Sequence, residues 1–131
     1  MFVDASAIVA LITNESDADL LENKLEIASE VITSPMAIYE AVLGIVRKRT
    51  CSLDVSRESV DALLREAEIK TVPINEIIGN EAIDAFQKFG RGNHRAALNM
   101  GDCFAYACAK IHRVPLLFKG NDFVHTDIRI A

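Results

Sequence analysis

The chain has 131 residues, half of them hydrophobic, which is enough apolar sequence for one domain with a substantial core. Its formal net charge of −5 argues mildly against a nucleic-acid partner, because phosphate binding depends on Lys and Arg. The first residues contain neither a basic leader nor a long apolar stretch. We therefore expect no export, no membrane insertion and a cytoplasmic location.

The three cysteines, Cys51, Cys103 and Cys108, form no C-x-x-C pair and leave one thiol over in any pairing scheme. This pattern suits a reducing compartment and does not favour a structural zinc site. We therefore expect Cys103 and Cys108 to be small core residues.

Short strands and helices alternate along the chain. Apolar runs of three or four residues predict the strands, and apolar residues at helical spacing predict the helices. In chain order the predicted elements are strand Met1–Val3, helix Ala5–Leu11, helix Ser16–Ile27, strand Val31–Thr33, helix Pro35–Val46, helix Ser56–Ala67, strand Thr71–Ile74, helix Asn75–Phe89, helix Gly101–His112, strand Leu116–Phe118 and strand Asp127–Ile130. This alternation predicts a three-layer α/β domain, in which helices cover both faces of a mostly parallel sheet. We expect residues 1–131 to form this single domain.

Several residues predict where the helices begin or end. Ser16 to Asp19 resembles a capping box, and Ser56 is the expected N-cap of the helix that it opens. Pro35 suits a first helical turn, and Gly90 ends the helix that precedes it.

Four acids interrupt otherwise apolar sequence. Asp4 and Asp122 follow predicted strands, at the sheet edge where open α/β folds bind ligands, although each alternatively caps a helix or forms a turn. Glu40 and Asp102 lie in apolar helical sequence, where an unpartnered carboxylate is costly, although each alternatively lies at a helix end or pairs with Lys or Arg. Four acids at one site repel one another unless cations neutralise them. Oxygen ligands suit Mg²⁺ or Mn²⁺ and do not suit zinc, so the pattern predicts a divalent metal site.

Four segments carry a family resemblance that extends over essentially the whole chain: FVDASAIVALITNE, SPMAIYEAVLGIV, LNMGDCFAYACAK and PLLFKGNDFVHTDI. In this order they resemble the PIN domain and, more narrowly, the VapC-type toxins of bacterial toxin–antitoxin pairs. The resemblance implies a PIN-like fold and a metal-dependent endoribonuclease. The acids that it implies as ligands of Mg²⁺ or Mn²⁺ and as catalytic residues are Asp4, Glu40, Asp102 and Asp122. It also implies a VapB-like antitoxin partner and a homodimer.

The resemblance gives three further residues a supporting role: Ser6, Asn121 and Asp127. Ser6 is expected to donate a hydrogen bond to a ligand carboxylate, with helix capping as the alternative. Asn121 stands where many relatives carry another acid, so it is not counted as a ligand.

Basic residues are grouped at three places in the sequence. The segment KFGRGNHR precedes Asp102 and offers Arg91, His94 and Arg95 as contacts for an RNA backbone, or for acidic residues of a partner. The clusters after the Glu40 helix and after the Asp102 helix are interpreted as favourable charge at helix C-termini.

Other classes of function are alternatives. A catalytically weak interaction module held by a partner would use the Leu-rich helices Asp19–Ile27 and Val60–Ala67, with Val42–Val46, as a groove or a dimer face. Ordinary core packing explains most of these residues equally well. A phospho-receiver domain is disfavoured because Asp4 is followed by Ala5 instead of a second acid. Metal-free cleavage by paired histidines is disfavoured because the three histidines share no predicted face.

Overall fold

The structure, a computed structural model, describes residues 1–131 and contains four strands and six helices. The elements are β1 (Phe2–Val3), α1 (Ala5–Ile12), α2 (Ala18–Glu26), β2 (Ile32–Thr33), α3 (Pro35–Arg49), α4 (Leu53–Glu66), β3 (Lys70–Thr71), α5 (Glu76–Phe89), α6 (Met100–Ile111) and β4 (Leu116–Leu117). All strand pairs are parallel, in the order β3-β2-β1-β4. The predicted three-layer α/β fold is confirmed.

The strand β1 lies in the middle of the sheet, with β2 on one side and β4 on the other. Phe2 pairs with Ile32 and with Leu116. The pairing with β4 continues one residue further, because the N–H of Asp4 donates to the carbonyl of Leu117 at 2.9 Å. Residues that follow β1 and β4 therefore emerge side by side at the same edge of the sheet.

The core explains why the strands are continuously apolar. Both faces of the sheet are covered by helices, so Phe2, Val3, Leu116 and Leu117 are all at most 1% exposed. Each such side chain contributes roughly 1.5–3 kcal/mol through burial. All three cysteines are free thiols, and the two on α6 are buried in the core, as predicted. None of the six helices is both long and apolar enough to cross a membrane.

Two predicted helix starts are confirmed by their capping hydrogen bonds. Ser34 accepts a hydrogen bond from the N–H of Ala37 at 3.2 Å, directly before Pro35 in the first turn of α3. Asn75 caps α5 by accepting from the N–H of Ile78 at 3.0 Å. The predicted starts at Pro35 and Asn75 agree with the structure to within one residue, whereas α3 continues three residues beyond its predicted end at Val46.

The predicted start of α4 was wrong by one turn. The N-cap is Ser52, which accepts a hydrogen bond from the N–H of Val55 at 3.2 Å. Ser56 lies inside the helix, is fully buried, and donates its hydroxyl proton to the carbonyl of Val42 on α3 at 2.7 Å. Serine is a favoured N-cap residue at either position. Because the hydroxyl of Ser56 is hydrogen-bonded to α3, Ser52 is the residue that caps α4.

Two further expectations are also corrected. The capping box at Ser16 to Asp19 does not form, because α2 starts after Asp17, whose side chain makes no capping hydrogen bond. The strand predicted at Asp127–Ile130 is absent, and Ile130 forms only one isolated bridge with Leu116. A single bridge ties the C-terminal residues to the sheet without extending it by a strand.

Candidate active site

Asp4 connects the central strand to the first helix. Only 5% of the residue is exposed, and its Oδ2 accepts hydrogen bonds from the N–H and the hydroxyl of Ser6 at 3.0 and 2.5 Å. Burial raises the pKa of Asp4, the hydrogen bonds from Ser6 lower it, and the charge of Asp122 raises it further. Asp4 is therefore a helix N-cap and, at the same time, a buried carboxylate that is repelled by a second acid.

Asp102 lies in the first turn of α6, where it forms a capping box with Asn99. The N–H of Asn99 donates to Asp102 Oδ2, and the N–H of Asp102 donates to Asn99 Oδ1, both at 2.9 Å. Burial raises the pKa of Asp102 to about 7, although the hydrogen bond from Asn99 lowers it. The charges of three other acids contribute to the increase: Asp4, Asp122 and Glu40.

Glu40 reaches the same place from α3 by lying against Gly101. A Cβ atom on residue 101 would come closer than 3.0 Å to both carboxylate oxygens of Glu40, a separation that real Cβ atoms essentially never show. Burial raises the pKa of Glu40, the charge of Asp4 raises it further, and the charge of Arg47 lowers it. The carboxylate of Glu40 thus lies directly beside the residue that precedes Asp102.

Asp122 enters from the segment that follows β4. It is exposed, and Gly120 turns the chain toward it with φ of +104°, a conformation that favours glycine. A Cβ atom on Gly120 would lie 3.8 Å from Asp122 Oδ2, so the carboxylate folds back over this turn. Its charge raises the pKa values of both Asp4 and Asp102.

These four acids converge at one edge of the sheet. Asp4 and Asp122 follow the neighbouring strands β1 and β4, while Glu40 and Asp102 come from the first halves of α3 and α6. The charges of Asp4, Asp122 and Glu40 all raise the pKa of Asp102, and those of Asp122 and Asp4 raise the pKa values of Asp4 and Glu40, respectively. Mutual repulsion of this kind makes a place where a bound cation is favourable.

The donor atoms fit a hard divalent cation, since all four residues offer carboxylate oxygens. As the side chains stand, however, no group of three or more His, Cys, Asp or Glu residues is arranged so that it could hold a metal ion. Asp4 is held by Ser6, Asp102 is held by Asn99, and Glu40 lies against Gly101. Binding a cation would therefore require some of these carboxylates to move closer together.

The three supporting residues differ in their surroundings. The hydroxyl of Ser6 donates to Asp4 and accepts from the N–H of Lys119 at 3.0 Å. Asp127 Oδ1 accepts a hydrogen bond from the hydroxyl of Tyr106 on α6 at 2.5 Å. The side chain of Asn121 is exposed and makes no hydrogen bond. Ser6 contacts an acid of the site directly, whereas Asp127 is bonded to the tyrosine one turn after Asp102.

The basic loop between α5 and α6 presents two free cations. Arg91 and Arg95 are exposed, and their side chains form neither an ion pair nor a hydrogen bond. His94 instead supports the loop, because its Nδ1 accepts from the N–H of Ala96 at 3.1 Å and its ring packs edge-on against Phe89 at 5.2 Å. No charge from this loop is among the groups that shift the pKa of Asp102.

The basic residues at the end of α3 stabilise neighbouring helices. Lys48 pairs with Glu15 in the connection between α1 and α2, and Arg49 donates to the carbonyl of Ile12 at the end of α1. They also occupy the last turn of α3, where positive charge is favourable. The interpretation as helix C-terminal charge is confirmed for this cluster.

Sequence reasoning missed two features of this region. Gly101 leaves the space that Glu40 fills, and the available signal was a glycine inside a helix, which needs a packing reason. Lys119 pairs with Glu15 and Asp17, which lie more than one hundred residues earlier in the chain. No local pattern in the sequence could have indicated that ion pair.

Comparison with known proteins identifies the family. The PIN domain family model matches residues 1–129. A VapC ribonuclease of Rhizobium meliloti (strain 1021) is 37% identical over 139 residues, covering 97% of this chain and 98% of the relative. The fold is similar to the crystal structure of VapC20 from Mycobacterium tuberculosis, a sarcin-ricin loop cleaving toxin, with a TM-score of 0.78 at 13% identity. The match covers 99% of this chain and 97% of the VapC20 chain. The fold is also similar to a chain of a toxin–antitoxin complex from Klebsiella pneumoniae, with a TM-score of 0.72 at 17% identity; the match covers 99% of this chain and 95% of that chain. The chain therefore belongs to the PIN-domain family and, within it, to the VapC ribonucleases.

Proposed function

We propose that the chain is a metal-dependent endoribonuclease and the toxin of a VapBC-type toxin–antitoxin pair. The observation that carries the proposal is the convergence of four mutually repelling carboxylates at one edge of a parallel sheet, in a chain that belongs to the VapC ribonucleases. The alternative of a catalytically weak interaction module gives no reason for this costly arrangement of charge. The proposed place of action is the cytoplasm, because the proposed substrate is found there.

Each acid has a proposed role as an oxygen ligand of Mg²⁺ or Mn²⁺. Asp4, Asp102 and Glu40 would hold the cation, and Asp122 would act as a ligand or orient a water molecule. When bound, the cation supplies a water of lowered pKa and stabilises negative charge on the phosphate. Ser6 fixes the direction of the Asp4 carboxylate by donating its hydroxyl proton to it.

The proposed RNA contacts are the free cations of the basic loop. Arg91 and Arg95 would neutralise backbone phosphates, because neither side chain has an acidic partner within the chain. His94 would act indirectly, since its ring and its Nδ1 hold the loop in shape. The loop is locally basic, although the chain has a formal net charge of −5.

For the antitoxin we propose a groove of about 470 Å³ between α2 and α4. Its apolar lining residues include Leu25 of α2 and Leu63 of α4 from the two Leu-rich helices considered above, whereas Val42–Val46 does not line it. Five glutamates and one lysine also line it: Glu22, Glu26, Glu30, Glu66, Glu68 and Lys70. An amphipathic segment with Lys or Arg along its edges would complement this groove.

For the homodimer we propose the apolar surface shared by α5 and α6. Ile83 and Met100 are 67% and 64% exposed, and they flank a shallow pocket of about 280 Å³ together with Phe86 and Phe104. Large apolar side chains exposed side by side are typical of an interaction surface.

The proposed function is tested by cleavage of a mixed RNA pool in Mn²⁺ and in EDTA. Asp4→Asn and Asp102→Asn each remove one carboxylate of the site, and Asp61→Asn removes an exposed carboxylate on α4 that makes no side-chain hydrogen bond or ion pair. We expect cleavage that requires metal, disappears in the first two variants and persists in the third. Cleavage that survives EDTA would refute the metal-dependent mechanism. A folded chain that binds no Mn²⁺ and cuts no RNA would favour the interaction module.

A further inference from the structure

Lys119 stands at the start of the segment that carries Asp122, and it is held in three ways. Its Nζ pairs with Glu15, and it lies 2.9 Å from Asp17 Oδ1 in an ion pair that lacks hydrogen-bond geometry. Its backbone N–H donates to the hydroxyl of Ser6 at 3.0 Å. The same residue therefore contacts the connection between α1 and α2 and the hydroxyl that holds Asp4.

Glu15 forms ion pairs with two lysines from distant parts of the chain. Its side chain is 18% exposed and pairs with Lys48 at the end of α3 as well as with Lys119. Hydrogen bonds from Lys119 and then from Lys48 lower the pKa of Glu15 to about 2, so its charge persists at any physiological pH. The trio Lys48, Glu15 and Lys119 thus connects α3, the α1–α2 connection and the segment after β4.

The segment after β4 is held further along the chain by the hydrogen bond from Tyr106 to Asp127, but no hydrogen bond or ion pair reaches the Asp122 side chain. Residues 118–129 contain no helix or strand, and the Asp122 side chain makes no hydrogen bond. Phe123 anchors the far side of Asp122, since it is 1% exposed and packs edge-on against Phe118 at 4.9 Å. Between Lys119 and Asp122 lies Gly120, whose backbone turns freely. Lys119 is therefore the anchor on the near side of a carboxylate that makes no hydrogen bond or ion pair of its own.

We infer that Lys119, held by Glu15, is a positioning residue: it keeps Asp122 beside Asp4 and Asp102. This inference rests on the proposed function for its effect on metal binding, but the placement of the segment can be tested without it. The ion pairs are partly exposed, with Lys119 at 31% and Lys48 at 44%. Such pairs add little to stability, so their loss should affect the position of Asp122 more than the fold.

The test compares Lys119→Met with Lys48→Met, which removes the other ion pair of Glu15 without touching the segment. Three quantities are measured: Mn²⁺ affinity by calorimetry without RNA, the Mn²⁺ concentration for half-maximal cleavage, and amide hydrogen exchange at residues 120–123. We expect Lys119→Met to weaken Mn²⁺ binding about tenfold and to speed exchange at least tenfold, as expected when a local anchor is lost. Lys48→Met should stay within about twofold in both, and Lys119→Arg should restore Mn²⁺ binding.

A double-mutant cycle separates positioning from general loosening of the fold. If Lys119 acts through Asp122, the variant Lys119→Met in an Asp122→Asn background should bind Mn²⁺ no more weakly than Asp122→Asn alone. Additive losses, or equal effects of Lys119→Met and Lys48→Met, would overturn the inference. If the unmodified chain binds no Mn²⁺, the proposed function fails, and the positioning role of Lys119 is then judged from amide hydrogen exchange alone. Exchange at residues 120–123 that is unchanged in Lys119→Met would overturn the inference.

Discussion

The most direct test of the site is the substitution Gly101→Ala, which adds one methyl group where Glu40 meets α6. The added Cβ would overlap both carboxylate oxygens of Glu40, and ordinary van der Waals contact begins at 3.4 Å. The carboxylate must therefore move by roughly 1 to 1.5 Å. It can do so cheaply, because it is the free end of a flexible side chain. The substitution moves one acid of the site and removes none of its charge.

The expected result is a loss of activity without a loss of stability. Metal–ligand distances tolerate about 0.2 Å, so a displaced Glu40 cannot keep its proposed position as a ligand. A misplacement of this size lowers rates by about 100-fold. Replacing glycine by alanine in a helix stabilises it by up to about 1 kcal/mol, which offsets the cost of moving Glu40.

The assay pairs RNA cleavage in Mn²⁺ with chemical unfolding in EDTA. Gly79→Ala is the matched control, because Gly79 lies within α5 and an added Cβ meets nothing within 4 Å. The control should be as active as the unmodified chain and slightly more stable. A Gly101→Ala variant with unchanged cleavage and unchanged Mn²⁺ requirement would refute the placement of Glu40 in the site. A variant that fails to fold would refute the packing argument.

Three other predictions concern stability. Asp4→Asn should raise the melting temperature of the metal-free chain, because it removes a buried charge that Asp122 repels. The same variant should no longer be stabilised by Mn²⁺, and a variant that Mn²⁺ still stabilises would exclude Asp4 as a principal ligand. Glu15 has a pKa lowered from 4.5 to about 2, so its stabilisation is present above pH 4.5 and is lost as the pH falls toward 2. The unfolding free energies of the unmodified chain and Glu15→Gln should differ by about 1 kcal/mol at pH 7 and converge over that range; a constant difference would contradict the ion-pair argument. Tyr106→Phe removes the hydrogen bond to Asp127, so it should lower the unfolding free energy by about 1 kcal/mol and leave RNA cleavage unchanged. A variant of full stability that no longer cleaves RNA would show that Asp127 belongs to the site.

Local patterns predicted the elements that depend on local interactions. The apolar run Leu116–Leu117 is a buried strand, and Gly90 ends α5, because both features depend on residues that are neighbours in the sequence. The four acids were also recognisable, because each interrupts apolar sequence. Their family roles came from the resemblance and stay predictions at the level of single residues.

Long-range contacts decided the features that the sequence did not predict. Ser52 caps α4 because the hydroxyl of Ser56 is taken by a carbonyl on α3. Asp17 has no capping bond and lies instead beside Lys119 from the far end of the chain. The contact between Glu40 and Gly101 likewise depends on how α3 and α6 pack. Such choices follow from tertiary structure and have no signature in a window of neighbouring residues.

The central position of β1 has a consequence for how the protein is made. Phe2–Val3 is synthesised more than one hundred residues before one of its two partners, Leu116–Leu117. Pairing between such distant segments is slow to form, and a chain emerging from the ribosome cannot complete this sheet until its last strand is available. Asp4 and Asp122 can therefore meet only after residues 116–122 have been synthesised. A partly made chain lacks the assembled acids, so any activity of the site begins only once translation of the domain is complete.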